Sequence, residues 1–285
     1  MKGANSDTGD MRWILVLIPL SFLALLLVWP MLEIIRVALV DAKGSPWELI
    51  AHVVSHPLYR TSLENTIRIS ASVTLITLIA GYPVAYIATH ASTGFERIVL
   101  LGVATSMWIS ILIRSYAWIV ILQRNGPISE LLQIVGIIPR PTSFLFTKWT
   151  VVLGMSHILL PFMILSIWAS VTHHARQSRQ IAFSLGATPF YYICRVFMPN
   201  SLPGAAAGSI LVFLLSMGFY ITPELLGGGG GDTMMLGVLV SEQINRFGDW
   251  ATGATIATFL LVVLLLLSGL LFMMPGIRRI GKAGV

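Results

Sequence analysis

The chain has 285 residues, of which 56 % are hydrophobic and only 11 % charged, and its mean hydropathy is +0.84. A soluble domain carries about 25 % charged residues, so this composition excludes a water-soluble globule and places the chain in a bilayer. A net charge of +6 and a pI near 9.8 would otherwise point to nucleic acid, but so apolar a chain has no broad basic face, and its lysines and arginines fit loops held on the cytoplasmic side of a membrane.

A helix that crosses the hydrocarbon needs about 20 largely apolar residues. Six stretches qualify: 13–32, 69–89, 98–122, 149–172, 201–223 and 250–275. The first follows Lys2 and Arg12, as a signal peptide would, but its apolar run is too long and no small-residue cleavage site follows promptly, so it reads as a retained anchor. Six spans put both termini on one side. The acids are uneven, with Asp7, Asp10 and Glu96 alone on the side of the termini, and the shorter basic segments on that side support cytoplasmic termini. No loop has room for a soluble domain, so residues 1–285 read as one transmembrane domain. Large water-soluble machinery must come from other chains. The single cysteine, Cys194, excludes an internal disulfide and reads as a small apolar filler.

In the third stretch Arg114 is a charge within the hydrocarbon, which either pairs inside the protein or snorkels to the outer interface. Trp108, Tyr116 and Trp118 on the same stretch line a solute path or form an interface belt. Asn125-Gly126-Pro127 reads as a turn into a short outer helix, with Ile128, Leu131, Leu132 and Val135 on one face. His157, in the middle of the fourth stretch, binds solute or hydrogen-bonds a neighbouring helix. His173-His174 resembles a metal pair, but adjacent helical residues point about 100° apart and nothing completes a site. No metal is expected.

The segment 173–200 between the fourth and fifth stretches is patterned. Gly186 suits the left-handed residue after a helix end, Thr188 an N-cap and Pro189 the first position of a new helix. Phe190, Ile193, Cys194 and Phe197 then fall at i, i+3, i+4 and i+7, predicting an apolar face, with Pro199 and Pro203 ending the element before the next span. On the residues alone it is either a cytoplasmic helix–turn–helix offering Arg176, Arg179 and Arg195 to a partner, or an amphipathic interfacial loop. In the fifth stretch, Gly204 and Gly208 form a GxxxG spacing for close helix approach. Pro83, Pro161 and Pro223 predict kinks. Glu224, just past Pro223 and one turn after Tyr220, would suit an ammonium group beside an aromatic ring, or simply cap a helix end. The glycines 227–231 are followed by Asp232-Thr233, not Lys-Ser/Thr, so they form no phosphate-binding loop. They read as a flexible outer loop before a second short helix over 233–244.

Gln180-Ile181-Ala182, Gly186-Ala187 and Val196-Phe197-Met198-Pro199 resemble the EAA loop of ABC-importer permeases. The spacing matches throughout, although Gln180 replaces the acid, Ile181 the first alanine and Met198 a leucine. The stretches 114–120, 125–126, 160–163 and 219–228 further resemble the first permease of spermidine/putrescine-type importers. The resemblance implies an all-α membrane protein with the six-helix type I importer permease fold and a cytoplasmic coupling helix between spans four and five. It places Gln180, Ala182, Gly186, Ala187, Arg195 and Pro199 at the contact with a separate ATPase. Because Gln180 carries no charge, that contact would rest on shape, with Ala182 and Gly186 small where approach is close. Trp108, Arg114, Tyr116, Trp118, His157, Tyr220 and Glu224 are the candidates for the solute path.

The expected function is therefore half of the path of an ATP-driven bacterial importer for a polyamine or related amine, not an enzyme. Other solutes of such permeases are an aminophosphonate, an opine or γ-aminobutyrate, and a proton-coupled secondary carrier is the rival reading. The expected partners are a second homologous permease, two copies of a cytoplasmic ATPase, a periplasmic solute-binding protein and the lipid bilayer, and no nucleic acid. No cofactor is expected in the chain itself, ATP and magnesium being bound by the ATPase. The expected location is the bacterial inner membrane, with both termini cytoplasmic.

Overall fold

The computed structural model describes residues 7–40, 48, 51, 55–172 and 174–273. His173, the basic residues Lys2, Arg278, Arg279 and Lys282, and the end of the sixth stretch lie outside the described residues. Among the described residues every regular element is helical. In chain order they are α1 (Asp7–Val40), α2 (Pro57–His90), α3 (Thr93–Trp108), α4 (Ile111–Leu122), α5 (Pro127–Ile134), α6 (Lys148–Val171), α7 (Ala175–Ser184), α8 (Pro189–Tyr192), a π-helical turn (Ile193–Phe197), α9 (Met198–Met217), α10 (Ile221–Gly227), a 3₁₀ turn (Gly231–Thr233), α11 (Leu236–Asn245) and α12 (Trp250–Met273).

Among the described residues five helical runs are long and apolar enough to cross a membrane, and α3 with the α4–α5 run after it, bent by 96°, is apolar enough to make a sixth when the two are counted as one span. The expected continuous span over 98–122 is thus corrected to a broken one. Ile109 and Ser110 are extended, with ψ of 129° and 137°, and α4 restarts at Ile111 with Ser110 as its N-cap residue. The new direction lets α4 lie against α10 and α6, where Ser115 and Thr222 join hydroxyls at 3.1 Å.

α6 is the centre of the bundle. It is apolar all round, as a fully surrounded helix must be, and Val151, Val152, Met155, Leu159, Met163, Ile164 and Ile167 are buried among α2 and α9. Small residues allow the approach of α9. A Cβ on Gly204 would lie 2.4 Å from the Ser166 carbonyl oxygen, and one on Gly208 would lie 2.9 Å from Met163 Sδ. The GxxxG expectation therefore holds, with α6 as the helix that approaches. A second cluster joins Tyr59, Met217, Leu236, Leu239, Ile256 and Leu260, tying α2, α9, α11 and α12 together. α1 packs on α12 and leaves the apolar side chains of 17–32 outward, which suits lipid.

Several expectations for the connections are corrected. The fifth span ends at Met217, and Pro223 lies in the first turn of the separate helix α10 rather than kinking the span. The glycine segment is anchored rather than loose: Asn65 Nδ2 donates to the carbonyls of Gly231 (3.0 Å) and Met234 (3.2 Å), and Thr233 Oγ1 to that of Gly227 (2.6 Å). α5 begins at Pro127 as expected, but Leu131 and Val135 are exposed. Its buried residue is Ser129, whose hydroxyl accepts the Thr142 amide at 3.0 Å.

Candidate coupling loop and broken span

α7 ends in a complete Schellman motif. The Ala187 amide donates to the Ala182 carbonyl (3.0 Å) and the Gly186 amide to that of Phe183 (3.0 Å), with Gly186 at φ +82°. The motif needs a left-handed residue at this position, and only glycine adopts it without a Cβ penalty. Thr188 then accepts the Tyr191 amide at 3.3 Å and Pro189 opens α8, as the spacing predicts. Ala182 and Ala187 are half-buried in the turn, whereas Gln180, Ile181, Leu185 and Gly186 face outward. Leu185 is 82 % exposed and Phe190 77 %. Leu185, with Ser178, Ile181, Thr188, Tyr191 and Val196, borders an open groove of about 650 Å³.

The expected stop at Pro199 and Pro203 does not occur. Helix runs without interruption from Pro189 to Met217. A proline inside an α-helix has no N–H for the i−4 carbonyl and clashes with it, and here the π-turn just before Pro199 widens the winding, with the Met198 amide bonded to the Ile193 carbonyl five residues back. The wider turn also shifts the buried face. Tyr192 and Phe197, five apart, are buried, while Phe190 and Cys194 of the expected stripe are exposed. Cys194 is therefore no core filler. Arg195 and Pro199 lie outward on this run.

Two clamps hold the loop to the bundle. Arg176, in the first turn of α7, is not free for a partner: it pairs with Glu96 of α3 and reaches the Ala91 carbonyl (3.2 Å) and Thr93 Oγ1 (3.4 Å). Glu96 also accepts from Trp168 Nε1 of α6 at 3.1 Å. In the second clamp the buried Tyr192 hydroxyl lies 3.0 Å from the Ala175 carbonyl and 2.9 Å from His90 Nε2. Arg179 lies 5.3 Å from the Phe183 ring centroid. Both clamps grip the junction of α2 and α3.

At the break between α3 and α4 the path candidates separate. Trp118 Nε1 donates to His157 Nδ1 at 3.3 Å, with the rings edge to face at 5.9 Å. Indole N–H is only a donor, so Nδ1 is the acceptor. His157 thus bonds a neighbouring helix, one of its two expected roles. Arg114 is 8 % exposed, so it does not snorkel to the interface, and its Nε and Nη1 have no hydrogen-bond partner. Trp108 is 89 % exposed and Tyr116 56 %. Glu224 turns to α11, where Ser241 Oγ donates to its Oε2 at 3.2 Å, and Tyr220 is the exposed N-cap residue of α10.

No known protein-family profile matches the chain. Individual relatives do. Over 216 residues it is 32 % identical to the inner membrane ABC transporter permease protein YdcU of Escherichia coli K12, covering 71 % of this chain and 68 % of that one. The chain belongs to the ABC transporter permeases. It is also 29 % identical over 260 residues to the spermidine/putrescine transport system permease protein PotB of Haemophilus influenzae, covering 89 % and 90 % of the two chains. The fold agrees with a chain of a bacterial alginate ABC transporter solved in complex with an alginate-bound periplasmic protein (TM-score 0.73, 18 % identity, 98 % of each chain). It also agrees with a chain of the MetNI methionine ABC transporter (TM-score 0.57, 20 % identity, 81 % of this chain and all of that one).

As an ABC transporter permease the chain is a multi-pass inner-membrane transport subunit and not an enzyme. The expected all-α permease fold with six crossings agrees with these relatives, the third crossing being broken. Four residues that position the permease's patterned loop, His90, Glu96, Trp168 and Tyr192, escape sequence reasoning. Their partners lie 72 to 102 residues away, and no local spacing encodes a contact of that range. Glu96 alone carried a signal, as the one acid of the turn over 90–97.

Proposed function

We propose that this permease is one half of the translocation path of an ATP-driven importer for a polyamine or related amine. In this reading the loop 173–200 is the coupling element, and Gln180, Ala182, Gly186, Ala187, Arg195 and Pro199 face the cytoplasmic ATPase. A second homologous permease completes the path. Two ATPase copies bind the ATP and magnesium, a periplasmic binding protein delivers solute, and both termini are cytoplasmic. Closure of the ATPase pair pulls on α7. The Arg176–Glu96 and Tyr192–His90 clamps carry that pull to the α2–α3 junction, and the broken span is the part able to change direction.

The observation that carries the reading is the exposed, glycine-turned helix pair clamped to α3. A loop built only to connect two spans has no need of a solvent-facing apolar groove anchored at both ends. The amine class is supported by the relation to PotB and by Glu224, the exposed acid near Tyr220 on the short helix beyond span five. Uptake of labelled putrescine and spermidine by cells carrying the whole system tests it. Glu224→Gln should raise the KM for uptake while the complex still purifies intact. Unchanged kinetics would take Glu224 off the path, and failure of both amines to compete for uptake would end the polyamine assignment.

A further inference from the structure

The run that follows the Gly186 turn carries two apolar faces, and one of them is in use. At regular α spacing Phe190, Ile193 and Cys194 stand seven, four and three residues before Phe197 and share its face. The chain is wound differently. Through the π-turn Ile193–Phe197 the Met198 amide reaches the Ile193 carbonyl five residues back, and Tyr192, five before Phe197, takes the place beside it. Tyr192 and Phe197 are fully buried, while Phe190 and Cys194 are exposed. One residue of winding, about 100° of rotation, therefore exchanges one aromatic ring for another against the same buried neighbour.

Pro199 favours the wide turn, because its ring clashes with the i−4 carbonyl of a regular α-helix. It does not forbid the other winding: Pro203, four residues on in the same run, sits in ordinary α-helix. Tyr192 is also held incompletely. His90 Nδ1 lies 2.9 Å from the Tyr86 carbonyl, His90 Nε2 lies 2.9 Å from the Tyr192 hydroxyl, and that hydroxyl lies 3.0 Å from the Ala175 carbonyl. Each contact needs a hydrogen, and a neutral imidazole and a phenol own two between them. π-turns are rare and concentrate at functional sites. We propose that residues 189–197 are a two-state switch, in which the π winding alternates with an α winding that puts Phe190 and Cys194 in place of Tyr192 beside Phe197 and turns α8 about its own axis. The Arg176–Glu96 pair lies before the Gly186 turn, so α7 stays tethered while α8 rotates. The inference rests on the coupling reading. A partner shifts such an equilibrium only through contacts that differ between the two states, and an ATPase seated on this run meets Phe190 in the π winding and Tyr192 in the α winding.

Cys194 is the chain's single cysteine and reports the winding directly. The complete complex is purified through a tag on this chain and reconstituted in proteoliposomes. Maleimide modification of Cys194, and of Tyr192→Cys in a Cys194→Ser background, is read on this chain by peptide mass, without nucleotide and after trapping with ATP and vanadate. The two positions should change in opposite senses, each by at least ten-fold. A fall at both would mean simple covering by the ATPase and no change at either would mean a rigid loop; each result overturns the proposal. Deletion of Cys194 tests it without a reporter. The Tyr192–Phe197 spacing drops from five to four, which a plain α-helix aligns, so the loop keeps its present orientation and loses the alternative. That variant should retain its ATPase and transport at least ten-fold more slowly. Uptake at the full rate, or loss of the ATPase from a loop whose orientation is unchanged, overturns the switch. If the unsubstituted chain recovers no ATPase, the coupling reading itself has failed.

Discussion

Gly186 separates a docking element from a connector by the order of two substitutions. Its φ is +82°, and a Cβ built on it meets nothing within 4 Å. Gly186→Ala therefore costs only the left-handed backbone, roughly 1–2 kcal/mol, and the turn remains the favoured state because its two Schellman hydrogen bonds and the Thr188 cap are untouched. Aspartate enters the left-handed region more readily than alanine. In a loop that only connects two spans, Gly186→Asp should therefore be no worse than Gly186→Ala. In a loop seated against an ATPase the order inverts, because the carboxylate is driven into a contact where it has no partner, and burying an unpaired charge costs several kcal/mol. The assay is recovery of the ATPase with the tagged permease, followed by solute-stimulated ATP hydrolysis in proteoliposomes. Gly186→Ala should retain most of both, Gly186→Asp should lose both, and insertion should be equal. A Gly186→Asp permease that keeps its ATPase as well as the alanine variant refutes the coupling assignment.

Gly204→Val should lower the thermal midpoint of the detergent-purified permease, since its Cβ would lie 2.4 Å from the Ser166 carbonyl and α6 and α9 must part; overpacking of this kind costs about 1–3 kcal/mol. Gly102→Ala, a helical site with open space, is the control and should leave the midpoint unchanged or slightly raised, and equal midpoints for both variants would remove the close-approach argument. Glu96→Gln keeps an acceptor for Trp168 but loses the charge facing Arg176, whose side chain is 48 % exposed, so screening holds the stability cost to about 1 kcal/mol or less. Its effect should appear as ATP hydrolysis that no longer drives uptake, restored when Glu96→Arg is combined with Arg176→Glu; uptake and hydrolysis falling together would leave the pair a merely structural one.

Composition and periodicity alone determined the class of molecule, five of the apolar spans, the places of Gly186, Thr188 and Pro189 at the turn between two helices, and the packing role of Gly204 and Gly208. These are local properties: an apolar run of sufficient length, a residue without a Cβ at a left-handed turn, a hydroxyl one position before a helix. Tertiary structure decided the rest. The 98–122 stretch reads as one helix because nothing in it forbids helix. It breaks at Ile109-Ser110 where α4 gains contact with α10 and α6, a gain that depends on residues more than 40 positions further on. Pro199 and Pro203 read as terminators because proline disrupts an α-helix, but a π-turn, which no propensity announces, precedes Pro199, the helix continues through both prolines, and on the buried face Tyr192 joins Phe197 of the expected stripe while Phe190 and Cys194 are exposed. Arg176 reads as a free cation until Glu96 is brought beside it from the turn between α2 and α3. Arg114 is the converse: its charge is plain in the sequence, but only packing shows that it lies buried without a partner in its own chain, because whether a side chain reaches water depends on what the fold places over it.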